Sequence, residues 1–334
     1  MLVVGECLVD LAPTGGTPAG AGNLRQPSQH FMAMPGGSCA NVAVGLARLG
    51  VRTGFAVRIA REGFGPWLRQ YLSDNGIDLA LSVDAPEPAT LAAVTLDDQG
   101  RASYTFYGPE TADWRWREGE LPAPNRDALA AYGVSAVHTG SLPIVFSPSG
   151  PVLAGWLAKL RQGDDVLISF DPNMRTVAGT DEAAYHRRLD EIIASSHVVK
   201  ASNEDVEAMY PGESPLARAE KWLAGGALLV IITQGPDGAT ALHRNGFKAH
   251  LSPPAIKVAD TIGAGDAFSA GLLAYFADQG LLHPSGVATA RPDQLQAALA
   301  QAIATGTFTC TRPGGDPPDA QELEAFVAQH RSVP

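Results

Sequence analysis

Asp266 stands directly after the run Gly263-Ala264-Gly265, at the head of a segment in which Phe268, Leu272, Tyr275 and Phe276 recur at helical spacing. The glycines fall where that helix begins, so bare backbone N–H groups at the positive end of its dipole face outward, a ready site for an anion. A carboxylate beside such a site repels what the site attracts. The conflict disappears if the anion is a phosphoryl group in transfer and Asp266 takes the proton from the attacking hydroxyl. A lone Gly-x-Gly-Asp would mean only a glycine turn with an Asp early in the helix for its dipole. Here the whole stretch 258–268 argues for the chemical reading.

A second glycine-led segment lies far upstream: Pro35-Gly36-Gly37-Ser38-Cys39-Ala40-Asn41-Val42-Ala43-Val44-Gly45-Leu46-Ala47-Arg48-Leu49-Gly50. The two segments resemble the paired signatures of the ribokinase-like, or PfkB, family of sugar kinases, and Gly263-Ala264-Gly265-Asp266 matches the core of the second residue for residue. They lie more than two hundred residues apart and in the family's order, and smaller matches between them cover nearly the whole chain. The resemblance implies a single α/β domain over residues 1–334, with a central, mostly parallel sheet flanked by helices and a small β lid. It implies an ATP-dependent kinase that uses magnesium and potassium. Asp266 is then the general base, and the N–H groups of Gly263, Ala264 and Gly265 hold the transferring phosphoryl.

The remaining site residues follow from local chemistry and from the resemblance together. Asp10 is read as ending the first strand, where an unpaired carboxylate is expensive to bury and a polyol would satisfy it; an Asp capping a loop is the commoner case. By resemblance, Asp10, Gly36, Gly37 and Asn41 line the sugar site, while Ser38 reads equally as the N-cap of the helix it opens. Arg175, in Asp171-Pro172-Asn173-Met174-Arg175, offers a fork of donors to the phosphoryl group or the sugar, or is a surface arginine. Thr233, Gly235 and Gly238, in a turn directly after an apolar strand, match the family's triphosphate contact and also read as an ordinary hairpin turn. In Lys200-Ala201-Ser202-Asn203-Glu204-Asp205 the family's Asn-x-x-Glu motif is altered. Aligned on Lys200, Ser202 and Asp205 take its places; a shift by one offers Asn203. Asp205 is the expected organiser of magnesium through water, and a Ser202–Asp205 capping box fits the same residues. Asp260 and the main chain of Ile262 match the family's monovalent-cation site, and Cys310–Gly315 matches the segment that flanks the adenine.

Composition sets the frame. Of 334 residues, 45% are apolar and 18% charged, which supplies a sizeable core. The net charge of −11 argues against nucleic acid or an anionic membrane as partner, so a phosphate site must rely on local donors. Cys7, Cys39 and Cys310 are scattered, which fits neither a disulfide framework nor a zinc site, and the expected location is the cytoplasm. No P-loop and no protein-kinase motif set occurs.

Strands are expected at 2–9, 51–59, 134–139, 166–170, 197–200 and 228–233, and helices at 38–49, 65–75, 152–161, 182–195, 215–224, 265–277, 292–306 and 320–330. That alternation predicts a parallel sheet with ligands at its carboxyl edge. Residues 91–107 alternate like a hairpin, and 12–32 form a loop or an irregular hairpin; together they are the expected lid and, by resemblance, a homodimer contact. The motifs look most like those of bacterial fructokinases, which implies the 6-hydroxyl of fructose as acceptor. 2-Keto-3-deoxygluconate, ribose and a nucleoside are the alternatives, and a sugar- or nucleotide-binding regulator on a kinase scaffold is the non-enzyme reading. Gly108 after Tyr107, where fructokinases often carry Arg, counts against fructose. Trp114 and Trp116 follow the hairpin with no assigned part, and His138 and His283 read as core or surface histidines.

Overall fold

The computed structural model of the protein describes residues 1–13, 30–96, 102–174, 177 and 179–330. Its main sheet starts from β1 (Leu2–Gly5), which is buried along its whole length. The chain then bends at Glu6 and Cys7 and leaves that sheet as β2 (Leu8–Pro13). The expected single strand at 2–9 is thus two strands in two sheets. Continuous burial hid the break, because both pieces are apolar.

Next come β3 (Phe31–Gly36), α1 (Ser38–Arg48), β4 (Gly54–Ala60), α2 (Gly65–Asp74), β5 (Val83–Ala85), β6 (Leu91–Leu96) and β7 (Ala102–Tyr107). The middle of the chain gives α3 (Arg126–Ala130), β8 (Ala136–Gly140), α4 (Ser149–Gly163), β9 (Leu167–Asp171), α5 (Glu182–Ala194), β10 (Val198–Ser202), α6 (Asn203–Met209), α7 (Pro215–Ala224) and β11 (Leu229–Thr233). The last part is β12 (Ala239–His243), β13 (Lys248–Leu251), α8 (Ala264–Asp278), α9 (Pro284–Ala288), α10 (Pro292–Thr309) and α11 (Ala320–His330).

The nine-stranded sheet has the order β13-β12-β11-β10-β9-β8-β1-β4-β5. It is parallel from β11 through β5, and β12 and β13 add an antiparallel edge. Its strands are apolar because helices cover both faces; one core cluster joins α1, α8 and α10 to the sheet, and another packs α4, α5 and α7 on the opposite side. A second sheet has the order β3-β2-β6-β7. The predicted hairpin is its β6–β7 pair, with Leu91 opposite Tyr107. β2 and β3 pair antiparallel from Leu8–Gly36 to Pro13–Phe31, so the predicted irregular insert at 12–32 reaches only their adjoining ends; its residues 14–29, like the hairpin tip 97–101, lie outside the described residues. Among the described residues no helix is long and apolar enough to cross a membrane.

Packing between α1 and α8 positions the site. A Cβ added at Gly45 would lie 2.7 Å from the Cβ of Ala270, so the two helices meet at a distance that only a missing side chain permits. Val42, Val44 and Leu46 on α1, and Phe268 and Leu272 on α8, are buried around that crossing.

Candidate active site

The two glycine-led segments meet at the head of α8. Gly263 is its N-cap, in the left-handed region at φ 72°, and an added Cβ there would lie 2.7 Å from the Cα of Gly315. Both its conformation and the C-terminal loop against it call for glycine. Ala264 N–H makes a long 3.3 Å bond to Thr261 O. Asp266 follows in the first turn and is buried at 7% exposure.

Two donors from α1 hold the Asp266 carboxylate. Ser38 Oγ donates to its Oδ1 at 2.6 Å, and Asn41 Nδ2 donates to its Oδ2 at 2.8 Å. The reading of Ser38 as an N-cap is corrected: Gly37 caps α1 and Ser38 is the next residue, its hydroxyl turned to Asp266. Asp10 is corrected as well. It sits inside β2 in the small sheet, paired with Met34 and Ala92, and does not end a strand of the main sheet. Its carboxylate still reaches the same place, because an added Cβ at Gly36 would lie 2.0 Å from Asp10 Oδ2. Asp10, Gly36, Gly37, Asn41 and Asp266 therefore converge on one corner between the two sheets.

Below that corner lies a buried ion pair that sequence reading passed over. Lys200 Nζ donates to Asp171 Oδ2 at 2.8 Å, and Ser269 of α8 adds a longer contact at 3.4 Å. An added Cβ at Gly265 would lie 3.0 Å from Lys200 Nζ, which places the ammonium against the first turn of α8. Burial pulls Lys200 down, but Asp171, Asp205 and Asp266 together outweigh it and hold the ammonium above the usual lysine value. Burial pushes the Asp171 carboxyl up to about 6, with the Lys200 charge pulling the other way. The clue was present in sequence: Asp171 ends an apolar strand and Lys200 lies in the next one, two charges with no surface to go to. His138 is a core histidine, held down to about 3 by burial, with Ser169 Oγ 3.1 Å from its Nδ1.

At the carboxyl end of β10, Ser202 and Asp205 form the expected capping box. Asp205 accepts from Met174 N–H at 2.7 Å and from Ser202 N–H and Oγ at 2.8 and 2.7 Å. Those bonds use most of its lone-pair directions, which suits a link to magnesium through water and not direct ligation. Asn203 opens α6 beside it. Thr233 ends β11, Gly235 starts a 3-10 turn and Gly238 leads into β12 at φ 103°, so the expected phosphate contact is also a hairpin turn. Asp260 accepts from Ile262 N–H at 3.0 Å and Gly314 N–H at 2.9 Å, which ties the loop before α8 to the C-terminal loop. Each of its oxygens keeps a free direction, and that fits a shared cation. A cavity of about 660 Å³ lies next to these loops, lined by Ile256, Val258, Phe308, Thr311, Phe326 and His330. Arg175 lies outside the described residues.

Comparison with known proteins places the chain in a family and matches its fold. The pfkB family of carbohydrate kinases matches residues 1–322. The fructokinase of Rhizobium leguminosarum bv. trifolii is 32% identical over 289 residues, 86% of this chain and 83% of that one. The Xylella fastidiosa fructokinase, solved with bound ATP, superposes with a TM-score of 0.85 at 24% identity over 99% of each chain, a likeness of fold. A double mutant of the Vibrio cholerae O395 fructokinase, solved with fructose, ADP and a potassium ion, gives a TM-score of 0.79 at 25% identity, covering 99% of this chain and 98% of that one.

Proposed function

This chain belongs to the pfkB family of carbohydrate kinases, and from that premise we propose that it is a fructokinase, moving the γ-phosphoryl group of ATP to the 6-hydroxyl of fructose. The observation that carries the proposal is the Asp266 carboxylate, in the first turn of α8 with one oxygen held by Ser38 and the other by Asn41. Fructose is supported by the Rhizobium fructokinase and by the Vibrio enzyme that binds fructose, ADP and potassium.

Asp266 takes the proton of the acceptor hydroxyl as the new O–P bond forms and the bond from the γ-phosphorus to the bridging oxygen breaks, ADP leaving with that electron pair. The Ser38 and Asn41 bonds aim its oxygens before the sugar arrives, which removes an orientational cost from the step. Asp10 accepts hydroxyls of the sugar, and the glycines at 36 and 37 let the ring come close to the backbone. The N–H groups of Gly263, Ala264 and Gly265 stabilise charge on the transferring phosphoryl, with the buried Lys200 ammonium behind them. Thr233, Gly235 and Gly238 contact the triphosphate, Ser202 and Asn203 lie along the nucleotide, and the cavity by Val258 and Phe308 takes the adenine. Magnesium, when bound, would neutralise charge on the phosphates, and Asp205 would hold it through water. Asp260 and the Ile262 main chain would hold potassium, which would fix the direction of the neighbouring N–H groups. The small sheet covers the sugar and excludes water, so that the sugar receives the phosphate. It also pairs two subunits, which covers Phe31, Met32 and Tyr107 on its two edge strands, all exposed in the single chain.

The test is ADP release by purified protein with ATP, magnesium and a panel of fructose, ribose, 2-keto-3-deoxygluconate and nucleosides. Fructose giving the highest kcat/KM is the expected result. A higher value for another acceptor reassigns the substrate, and no acceptor-dependent ADP at all overturns the kinase reading.

A further inference from the structure

Beneath the small sheet lies a buried acid that the chemistry above does not use. Asp113 sits in the 3-10 turn Ala112–Trp114 and is 1% exposed. Its Oδ1 accepts the Cys7 N–H at 3.1 Å, and its Oδ2 lies 2.6 Å from Thr90 Oγ1. A line of close oxygens continues from there. Thr90 Oγ1 is 2.5 Å from Thr111 Oγ1, and Thr111 Oγ1 is 2.6 Å from Gly108 O. All four residues are buried.

A hydroxyl has one proton to donate and a carbonyl has none. The line has three oxygen–oxygen contacts, but Thr90 and Thr111 bring only two protons to it. With Asp113 ionised, one of those contacts would be two oxygens pressed together with no hydrogen between them, a repulsion that buried surroundings magnify. The count closes with a proton on Asp113 Oδ2: the acid donates to Thr90, Thr90 to Thr111, and Thr111 to Gly108 O. We infer that Asp113 is a neutral carboxylic acid in the folded protein, and that it is the positioning residue that sets the root of the lid.

The surroundings agree. Burial pushes the Asp113 carboxyl up to about 7, against the pull of Thr90, the Cys7 N–H and Arg58. Glu6 faces it from the end of β1, fully buried, with no partner for its Oε2, and is pushed to about 8 by burial and then by Asp113. The Cys7 thiol is raised by burial and by Asp113, Glu6 and Asp10. Arg58 approaches from β4, but its Nε goes to Ala112 O and its guanidinium is taken by Glu87 and Glu120. The Arg58 charge is therefore already matched by two carboxylates.

Position gives the acid its consequence. Thr90 precedes β6, Gly108 follows β7, and Thr90 O accepts the Val9 N–H of β2 at 3.0 Å. One neutral acid thus ties both roots of the β6–β7 hairpin to the turn from which β2 carries Asp10. Loss of its proton removes one link from the line. This consequence rests on the small sheet covering the acceptor, as proposed above. The acceptor KM then rises as pH climbs through about 7, while the KM for ATP stays constant. In Asp113→Asn the amide Nδ2–H₂ donates in place of the acid O–H and Oδ1 keeps the Cys7 N–H, so the line survives at every pH.

The test is urea unfolding of the wild type and D113N across pH, which requires no substrate. The folded acid keeps its proton above the ordinary value of 3.8, so the wild type takes up a proton on folding. Its folding constant relative to D113N should therefore fall about tenfold per pH unit between roughly pH 5 and 6.5 and level off above about pH 8. A ratio that stays constant over that range overturns the neutral acid, whatever the substrate. If D113N does not fold, the ¹³C carboxyl shift of Asp113 in the wild type decides: a titration near neutrality supports the inference, and one in the ordinary acidic range overturns it. The kinetic readout is separate. An acceptor KM that rises from about pH 6.5 to 8.5 in the wild type and not in D113N supports the lid coupling, and identical profiles overturn that coupling. A protein without fructose-dependent turnover leaves the unfolding result intact, so failure of the proposed activity is distinguishable from failure of this inference.

Discussion

The joint between α1 and α8 and the root of the small sheet are held by opposite means. At the joint, helices meet through Gly45 and Ala270 inside an apolar cluster, and Asp266 is fixed on that support by two hydrogen bonds of 2.6 and 2.8 Å. At the root, Asp113, Thr90 and Thr111 carry the connection through buried polar contacts, and the sheet above exposes Phe31, Met32 and Tyr107. Close apolar packing resists any displacement. A polar chain is undone one proton or one hydroxyl at a time. On the proposed function, the part needing fixed geometry and the part that must admit a substrate are separated by kind of interaction, even though the adjacent Glu6 and Cys7 bring them together: Glu6 accepts from Cys39 N–H at the start of α1, and Cys7 N–H donates to Asp113.

Breaking the joint chemically gives the largest effect. Asp266→Asn should lower kcat by ~10²–10⁴-fold, the usual worth of general-base catalysis, while calorimetry shows ATP and sugar still binding. Breaking it sterically comes next. Gly45→Val sets a branched side chain against Ala270 and should cost ~1–3 kcal/mol of stability, as overpacking does, read as a lower urea midpoint and accompanied by a fall in kcat. The loop beside the joint sharpens the comparison. Exchange of potassium for tetramethylammonium at equal ionic strength should slow turnover by about tenfold or less, the worth of ~1 kcal/mol in orientation, without changing the urea midpoint by much; equal rates remove the cation from the account. The smallest effect on stability belongs to the lid. Phe31→Glu with Met32→Glu should turn a sedimenting dimer into a monomer, yet shift the unfolding free energy of the single chain by no more than ~0.5 kcal/mol, as exposed positions do.

The joint was far easier to read in the sequence than the root. Helical spacing of Phe268, Leu272, Tyr275 and Phe276 placed α8 to within a residue at each end, and the apolar run after Gly37 placed α1 similarly. Both glycine-led segments carry their chemistry in consecutive residues, so local pattern was enough. What pattern missed was pairing across distance: the hydroxyl of Ser38 turned to Asp266, the Lys200–Asp171 pair, and the line from Asp113 to Gly108. Asp113 lies between Ala112 and Trp114 like an ordinary turn residue, and only burial marks it out. The split of residues 2–9 into β1 and β2 was masked because apolar side chains face a core on both sides of the bend. Glu6 was its one sequence signal, a charge inside a run that has no solvent face.

The most direct test of the central claim is phosphorus NMR on the reaction of the wild-type protein with ATP, magnesium and fructose. The expected products are ADP and a single new sugar phosphate whose phosphorus couples to the hydrogens on carbon 6, formed by the wild type and nearly absent with Asp266→Asn. Phosphate on another carbon, inorganic phosphate in place of a sugar ester, or the same product at undiminished rate from Asp266→Asn would contradict it.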